Sequence, residues 1–211
     1  AQCGAAHGLN NAVAVLPCRK AGAHADYQRC VDDASAQIAF GPATDNGYFY
    51  DFELPKNISS DDFAAIEKKM AQIVKRNEPF VREVVSVEEA KEIFADQRFK
   101  LEHIDDLTEG EISVYRHGSF VDLCAGPHIP SAGKIGAFKM MKLAGAYWRG
   151  DASREQLQRL YGTAFFKKAD LDEYLHNLEE AEKRDHRRIG REMDIFMMRE
   201  EAPGFPFFLP N

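Results

Sequence analysis

The sequence predicts an α+β fold, in which helices and strands do not alternate regularly. The first observation is an aromatic run at residues 48–52, which is typical of a strand. The second is a set of apolar residues at helical spacing, which predicts a helix with one buried face: Phe63, Ile66, Met70, Ile73 and Val74. The third is the mixed order of the other helix and strand patterns, which does not fit a repeated βα unit.

Short local signals predict the other elements of the fold. Asn46 followed by Gly47 lies between apolar runs and predicts a hairpin turn. Ser86 and Glu89 form a capping box, which predicts a short helix ending near residue 95. Residues 80–85 and 114–123 are predicted strands, and the second is broken near Gly118.

The last third of the chain predicts a linker and not a second core. The helix predicted there has an apolar face only as far as residue 178, while charged residues continue to residue 191. This pattern is typical of a helix that joins domains. We therefore predict a domain at 37–168, a long linker helix at 169–199 and the truncated start of a further domain at 200–211. Residues 1–36 have no sustained period and form an uncertain N-terminal segment. Both ends are expected to be cut from a longer protein.

Composition excludes several classes of protein. The 211 residues are 45% hydrophobic and 29% charged, which is ordinary for a globular protein with a sizeable core. The net charge of −7 excludes a uniformly basic nucleic-acid binder but not a local basic patch. Four scattered cysteines do not form a disulfide framework. Without a membrane-length apolar run or a signal peptide, we expect a cytoplasmic protein with no membrane partner.

The segment at residues 122–128, DLCAGPH, is the most informative for chemistry. Cys124 and His128 are four residues apart, and the intervening Gly-Pro turn could direct both side chains to one point. This spacing is compatible with half of a zinc site, but two ligands are not a site. Asp122 would share their face of a strand, so the three could polarise a water molecule or bind a polar substrate. The alternative is a buried cysteine beside a hydrogen-bonded histidine.

A second segment, at residues 139–151, combines cations, glycines and the single tryptophan. Lys142, Trp148 and Arg149 could bind a nucleic acid through phosphate contacts and stacking. The alternative is that Trp148 lies in the core and that Arg149 pairs with Asp151. No glycine-rich motif for ATP or a dinucleotide is present.

Long motifs resemble one family, the bacterial threonyl-tRNA synthetases. They are GPATDNGYFYDF at 41–52, DLCAGPH at 122–128, MKLAGAYWRGD at 141–151 and QLQRLYGTAF at 156–165. The last resembles the end of an additional domain that this family shares with alanyl-tRNA synthetases. The segments KRDHRRIG at 183–190 and EEAPG at 200–204 resemble the helix that leads into the catalytic core and the first residues of that core.

The resemblance implies an editing domain, which hydrolyses serine that has been wrongly attached to threonine tRNA. The implied partners are tRNA(Thr) and seryl-tRNA(Thr). The family's site residues correspond here to Asp122, Cys124, His128 and Lys100, with Tyr50 or Tyr48 as the tyrosine. The implied catalytic groups are a histidine, Lys100, Cys124 and His128, and Asp122 would bind the substrate's amino group.

The chain departs from the family near its N-terminus. The family's His-x3-His pair is absent, and His7 is the better substitute for its first histidine, with His24 as the second choice. The resemblance therefore implies that editing requires no cofactor and no metal here, with zinc possible but less favoured. ATP and zinc would belong to the missing catalytic core. The fragment is expected to be a monomer and the whole enzyme a homodimer.

The sequence is also compatible with two other functions. The domain could be a catalytically inactive tRNA-docking module, because its histidine pair is broken. It could also be a zinc-binding domain without a role in RNA binding.

Overall fold

The computed structural model describes residues 36–44, 47–107, 112–201 and 203–210. His7, His24 and nearly all of the predicted N-terminal segment lie outside the described residues. The chain divides into two units, Ala1–Lys168 and Ala169–Asn211. Helices and antiparallel sheets are both present, which confirms the predicted α+β class.

The first unit contains three α-helices and eight strands within the described residues. In chain order they are β1 (Gln37–Ile38), β2 (Ala43–Thr44), β3 (Gly47–Glu53), α1 (Phe63–Arg76), β4 (Phe80–Val85), α2 (Val87–Ile93), α3 (Arg98–Asp106), β5 (Ile112–His117), β6 (Phe120–Leu123), β7 (Ala137–Tyr147) and β8 (Gln156–Phe165).

The larger sheet has five strands in the order β1–β3–β8–β7, with β2 also paired to β3. All of its pairings are antiparallel. The predicted hairpin is confirmed by the pairing of Thr44 with Gly47, although Asp45 and Asn46 lie outside the described residues. Alternate side chains of β3 point to opposite faces, so Tyr48, Tyr50 and Phe52 enter the core together.

Helix α1 supplies the main apolar face that packs on this sheet. Ile66, Met70 and Ile73 are buried in one cluster with the β3 aromatic residues, as the helical spacing predicts. A short 3-10 turn precedes the helix, where the backbone N–H of Ser59 donates to the Asp62 carboxylate at 2.7 Å. The helix ends at Asn77, whose φ of 50° is left-handed and stops the helical path.

The smaller sheet has the order β4–β5–β6 and packs with α2 and α3. Its cluster is formed by Ala90, Phe94, Ile104, Ile112 and Val114. The capping box of α2 is confirmed, since Glu89 N–H donates to Ser86 Oγ at 3.2 Å and Ser86 N–H donates to the Glu89 carboxylate at 2.9 Å. The predicted strand at 114–123 is two antiparallel strands, with Gly118 in the turn between them.

The second unit differs from the single linker helix predicted at 169–199. It contains α4 (Lys168–Lys183), α5 (His186–Glu192) and the hairpin of β9 (Phe196–Met198) and β10 (Pro206–Phe208). Asp185 separates the helices because its side chain accepts from the Arg187 N–H at 2.9 Å and so caps α5. Among the described residues, no helix is long and apolar enough to cross a membrane.

Substitution of Ile73 by alanine tests the α1 contact with the core. Ile73 is 0% exposed, so Ile73→Ala should lower the free energy of unfolding by ~2–5 kcal/mol. Urea unfolding followed by the fluorescence of Trp148, the only tryptophan, measures this loss in the first unit. The exposed neighbour Lys75→Ala should change it by less than ~0.5 kcal/mol. An equal loss in both variants would contradict the assigned core.

Candidate active site

Three side chains from separate elements meet in a buried polar cluster. Lys100 of α3 forms an ion pair with Asp122 of β6, with 2.6 Å between Nζ and Oδ1. Lys100 also donates to the hydroxyl of Tyr50 on β3 at 3.0 Å, and that hydroxyl donates to Asp122 Oδ2. The side chains of Lys100 and Asp122 are each 5% exposed. The cluster therefore places a cation, an anion and a hydroxyl together away from bulk water.

The cluster satisfies its own polar groups. Besides Lys100 and Tyr50, the Asp122 carboxylate accepts from the backbone N–H of Leu123 at 2.8 Å. Burial of an ionised group costs several kcal/mol unless it is paired and hydrogen-bonded, and here both conditions are met. Removal of one charged partner leaves the other buried and unpaired.

A second pair, Cys124 and His128, follows directly after β6. The Cys124 Sγ lies 3.4 Å from His128 Nε2 and accepts from the backbone N–H of Gly126 at 3.3 Å. The backbone N–H of Cys124 still donates to the Ser113 carbonyl at 3.2 Å, so the end of the β5–β6 hairpin fixes its position. The Gly-Pro turn does bring Cys124 and His128 together, as the spacing predicts.

Tyr115 of β5 holds the imidazole of His128 in place. The two rings are stacked with centroids 3.9 Å apart and an interplanar angle of 12°. Gly126 makes room for this arrangement, because a Cβ built on it would lie 2.2 Å from the Tyr115 hydroxyl oxygen. Gly126 also has a φ of +79°, which L side chains rarely adopt. No sequence motif marks Tyr115 as a site residue, since only the pairing of β5 with Asp122 on β6 brings it to the site.

Burial keeps Cys124 and His128 uncharged at neutral pH. It raises the pKa of the Cys124 thiol, and the nearby Asp122 carboxylate adds to this effect, while the Gly126 N–H and Lys100 oppose it. Burial also lowers the pKa of His128 to about 4, against a smaller opposing effect of Asp122. A protonated thiol beside a neutral imidazole is not the thiolate–imidazolium pair of a cysteine nucleophile.

The two groups of residues are close enough to form one site. Asp122 and Cys124 are two residues apart, and both Asp122 and Lys100 affect the pKa of the thiol. The site thus has a charged, hydrogen-bonded half and a neutral half. Such a site can bind a polar ligand and position a water molecule without a charged nucleophile.

Several predicted residues lie elsewhere or have other partners. Tyr48 is buried, and its hydroxyl contacts the sulfur of Met140 at 3.8 Å, so Tyr50 and not Tyr48 joins Lys100. Trp148 is 6% exposed and packs against Phe99, with ring centroids 4.8 Å apart. Its indole N–H donates to Glu102 at 3.0 Å. The prediction that a base stacks on Trp148 is therefore wrong, because its ring is buried.

The two cations of the same segment differ in their partners. Arg149 pairs with Asp106 and donates to the Glu102 carbonyl at 3.3 Å, so its partner is not Asp151. Lys142 is exposed, and its ammonium lies 4.8 Å from the ring centroid of Tyr161. Contacts of Lys142 and Arg149 with tRNA stay predictions.

A zinc ion does not fit the donors that the structure describes. Cys124 and His128 supply two, and no group of three or more His, Cys, Asp or Glu side chains able to hold a metal occurs in the described ranges. A tetrahedral zinc site needs more ligands than this pair. His7 and His24, the substitutes for the missing histidine, lie outside the described residues. Hydrolysis without a metal therefore stays a prediction.

Comparison with known proteins identifies the family. Residues 112–161 match the threonyl and alanyl tRNA synthetase second additional domain. Over 179 residues, the chain is 53% identical to the threonine–tRNA ligases of Burkholderia mallei (strain SAVP1) and Burkholderia pseudomallei (strain K96243). It is 52% identical to that of Burkholderia multivorans (strain ATCC 17616 / 249) over the same length. The chain belongs to the threonyl-tRNA synthetase family.

The threonyl-tRNA synthetase match covers most of this chain but a small part of its relatives. It spans 83% of the chain and 28% of each of these ligases. The segment matched by the domain family, 112–161, contains Tyr115, Asp122, Cys124 and His128. Lys100 and Tyr50 precede it, so the site combines residues from inside and outside the matched segment.

A double-mutant cycle tests the buried ion pair. Lys100→Met should lower the free energy of unfolding by ~3–5 kcal/mol, because Asp122 is left buried without its cation. The double variant Lys100→Met/Asp122→Leu should lose less than Lys100→Met, because no buried charge is left unpaired. Urea unfolding followed by Trp148 fluorescence measures each corner. Additive losses would show that the two charges do not interact.

The acid dependence of stability tests the neutral state of His128. Its folded pKa of about 4 lies below the usual 6.5, so the unfolded chain binds a proton first as the pH falls. This contribution to stability is present above pH 6.5 and is lost as the pH falls to about 4. The slope of the free energy of unfolding against pH is at most ~1.4 kcal/mol per pH unit in this range. His128→Gln should flatten it, and an unchanged slope in this variant would contradict the low pKa.

Proposed function

We propose that this domain hydrolyses the ester of seryl-tRNA(Thr), as the editing module of a threonyl-tRNA synthetase. The observation that carries the proposal is the buried Lys100–Asp122–Tyr50 cluster beside the neutral Cys124–His128 pair. Membership of the threonyl-tRNA synthetase family supplies the substrate class.

Chemistry explains why such an enzyme needs a second site. Threonine and serine differ by one methyl group, which is worth only ~1–3 kcal/mol of discrimination in a pocket. A site that attaches threonine to tRNA(Thr) therefore also attaches some serine. A separate hydrolytic site removes the error after the ester has formed.

Water is the nucleophile in the mechanism that we propose. It adds to the ester carbonyl, the bond between that carbon and the ribose oxygen breaks, and serine and tRNA leave. The proton lost by water ends on the ribose oxygen, so atoms and charge balance. The protonated thiol of Cys124 argues against an acyl-enzyme, because attack on the ester would require its thiolate.

The charged half of the site would bind and polarise the ester. Lys100 and Tyr50 carry the hydrogen-bond donors that can stabilise negative charge on the carbonyl oxygen as water adds. Asp122 is the anion that can attract the substrate's ammonium group. Since Asp122 already binds Lys100 and Tyr50, the substrate would share this carboxylate with them.

The whole protein belongs to the same proposal. The relatives are called threonine–tRNA ligases, and this chain spans 28% of their length. We propose that the complete protein joins threonine to tRNA(Thr) as a cytoplasmic homodimer. Its ATP site would lie in the part of the ligase that this chain does not match.

Hydrolysis of mischarged tRNA tests the proposal directly. The chain should deacylate seryl-tRNA(Thr) faster than threonyl-tRNA(Thr), and Lys100→Gln should slow the first reaction by ~10²-fold or more, the scale of a lost polar catalyst. The measurement is release of radiolabelled serine from tRNA(Thr). Lys75→Ala, an exposed lysine of α1, should hydrolyse at the rate of the unaltered chain.

The outcome separates hydrolysis from binding alone. Before each assay, circular dichroism and Trp148 fluorescence establish that the variant is folded. If the folded chain binds seryl-tRNA(Thr) without releasing serine, the hydrolase proposal fails and an inactive docking module is the better description. If EDTA unfolds the chain, a structural zinc site is indicated.

A further inference from the structure

Phe40 is an exposed aromatic residue whose backbone is held in place. It follows β1, and its side chain is 47% exposed. The Phe40 carbonyl accepts from the Asp51 N–H at 2.9 Å, and the Ala39 N–H donates to the Asp51 carbonyl at 2.9 Å. These two bonds continue the pairing of β1 with β3, so the exposed ring projects from an ordered backbone.

His103 of α3 packs against Phe40, and the two rings form what we call the aromatic corner. Their centroids are 5.9 Å apart and their planes are inclined at 53°. The side chain of His103 is half-buried. Burial and the nearby Lys100 lower the pKa of His103, while Arg149 adds to this effect and Asp106 opposes it. The imidazole is therefore neutral at pH 7, and the aromatic corner is uncharged.

The aromatic corner lies beside the Lys100 and Tyr50 side chains of the candidate site. His103 and Lys100 are three residues apart in α3, so their side chains are neighbours on one helix face, ~4.5 Å apart along its axis. Gly41 follows Phe40 and packs directly on Tyr50, because a Cβ built on Gly41 would overlap the Tyr50 ring. Both segments that carry the corner therefore also contact or carry a member of the polar cluster.

A nucleobase is the chemical group that fits an exposed aromatic surface at this place. In an aminoacyl-tRNA, the ester is attached to the ribose of the terminal adenosine, so the adenine lies one ribose away from the reacting carbonyl. If the ester lies against Lys100 and Tyr50, the adenine must lie close to them. Bases stack on aromatic side chains through their flat faces. Phe40 offers such a face to solvent, whereas the ring of Trp148 is buried.

We propose that the aromatic corner is the subsite for the adenine of the terminal adenosine, which stacks on Phe40 with His103 at its edge. This inference rests on the proposed hydrolytic function. The subsite binds a part of the substrate that does not react, so it contributes equally to the ground state and the transition state. Its loss is therefore expected to raise KM and to leave kcat nearly unchanged.

The kinetics of seryl-tRNA(Thr) hydrolysis test the contact with Phe40. Phe40→Ala should raise KM by ~10-fold or more, the scale of base–aromatic stacking, with kcat nearly unchanged. Phe40→Tyr keeps the ring and should have the KM of the unaltered chain. Phe166→Ala removes a phenylalanine of similar exposure, 44%, elsewhere in the first unit and should change neither constant. An unchanged KM in Phe40→Ala would overturn the subsite.

Binding of two analogues tests the base without catalysis. The probes are the non-hydrolysable amide analogue of seryl-adenosine and its counterpart with hydrogen in place of adenine, and calorimetry measures their affinities. Adenine should tighten binding by ~10-fold or more in the unaltered chain and by much less in Phe40→Ala. An equal gain from adenine in both proteins would show that the base does not contact Phe40.

Nuclear magnetic resonance tests where the base lies. The ring current of a stacked adenine shifts the signals of neighbouring protons, so the imidazole C–H signals of His103 should move when the adenosine analogue binds. They should stay in place with the base-free analogue. His103→Leu assigns these signals. A bound adenosine analogue that leaves them unshifted would overturn the subsite.

The results separate this subsite from the proposed function. If the chain hydrolyses seryl-tRNA(Thr) and Phe40→Ala has unaltered kinetics, the subsite is wrong and the hydrolytic function stands. If the folded, unaltered chain neither binds the adenosine analogue nor hydrolyses seryl-tRNA(Thr), the proposed function fails, and the subsite fails with it.

Discussion

The buried ion pair between Lys100 and Asp122 is the interaction on which the first unit's organisation depends. It joins α3 to the smaller sheet, and the shared hydroxyl of Tyr50 extends the contact to the larger sheet. Each partner is stable in the interior only while the others stay in place. The geometry of the candidate site and the packing of the two sheets therefore depend on the same contacts, and a change in either must alter the other.

The two halves of the candidate site differ in charge. Lys100 and Asp122 form a buried ion pair, whereas Cys124 and His128 are neutral because burial opposes their ionised forms. Asp122, Cys124 and His128 lie within one short segment at the end of β6, and Lys100 reaches it from α3. The site can therefore present a strong local field and an uncharged hydrogen-bonding surface to the same ligand.

Regular elements with strong local signals were predictable. The apolar stripe of α1 and the capping box at Ser86 could be recognised because each depends only on residues that are close together in the sequence. Helix α3 was missed because its sequence is mostly polar and no side chain caps its start. Strands β7 and β8 were interpreted as motifs, since their alternation is obscured by glycine and alanine. The segment DLCAGPH identified Asp122 and the resemblance identified Lys100, whereas Tyr115 required the register of a hairpin.

The ion pair also bears on a side reaction that threatens any lysine beside an activated ester. A free amine attacks such an ester and forms a stable amide, which would acylate the protein and inactivate it. Lys100 Nζ lies 2.6 Å from Asp122 Oδ1 and donates to the Tyr50 hydroxyl at 3.0 Å, so its attack on an ester would first require the loss of these two contacts. In the proposed editing reaction, the contact that orders the fold would therefore also protect the lysine from acylation by the ester.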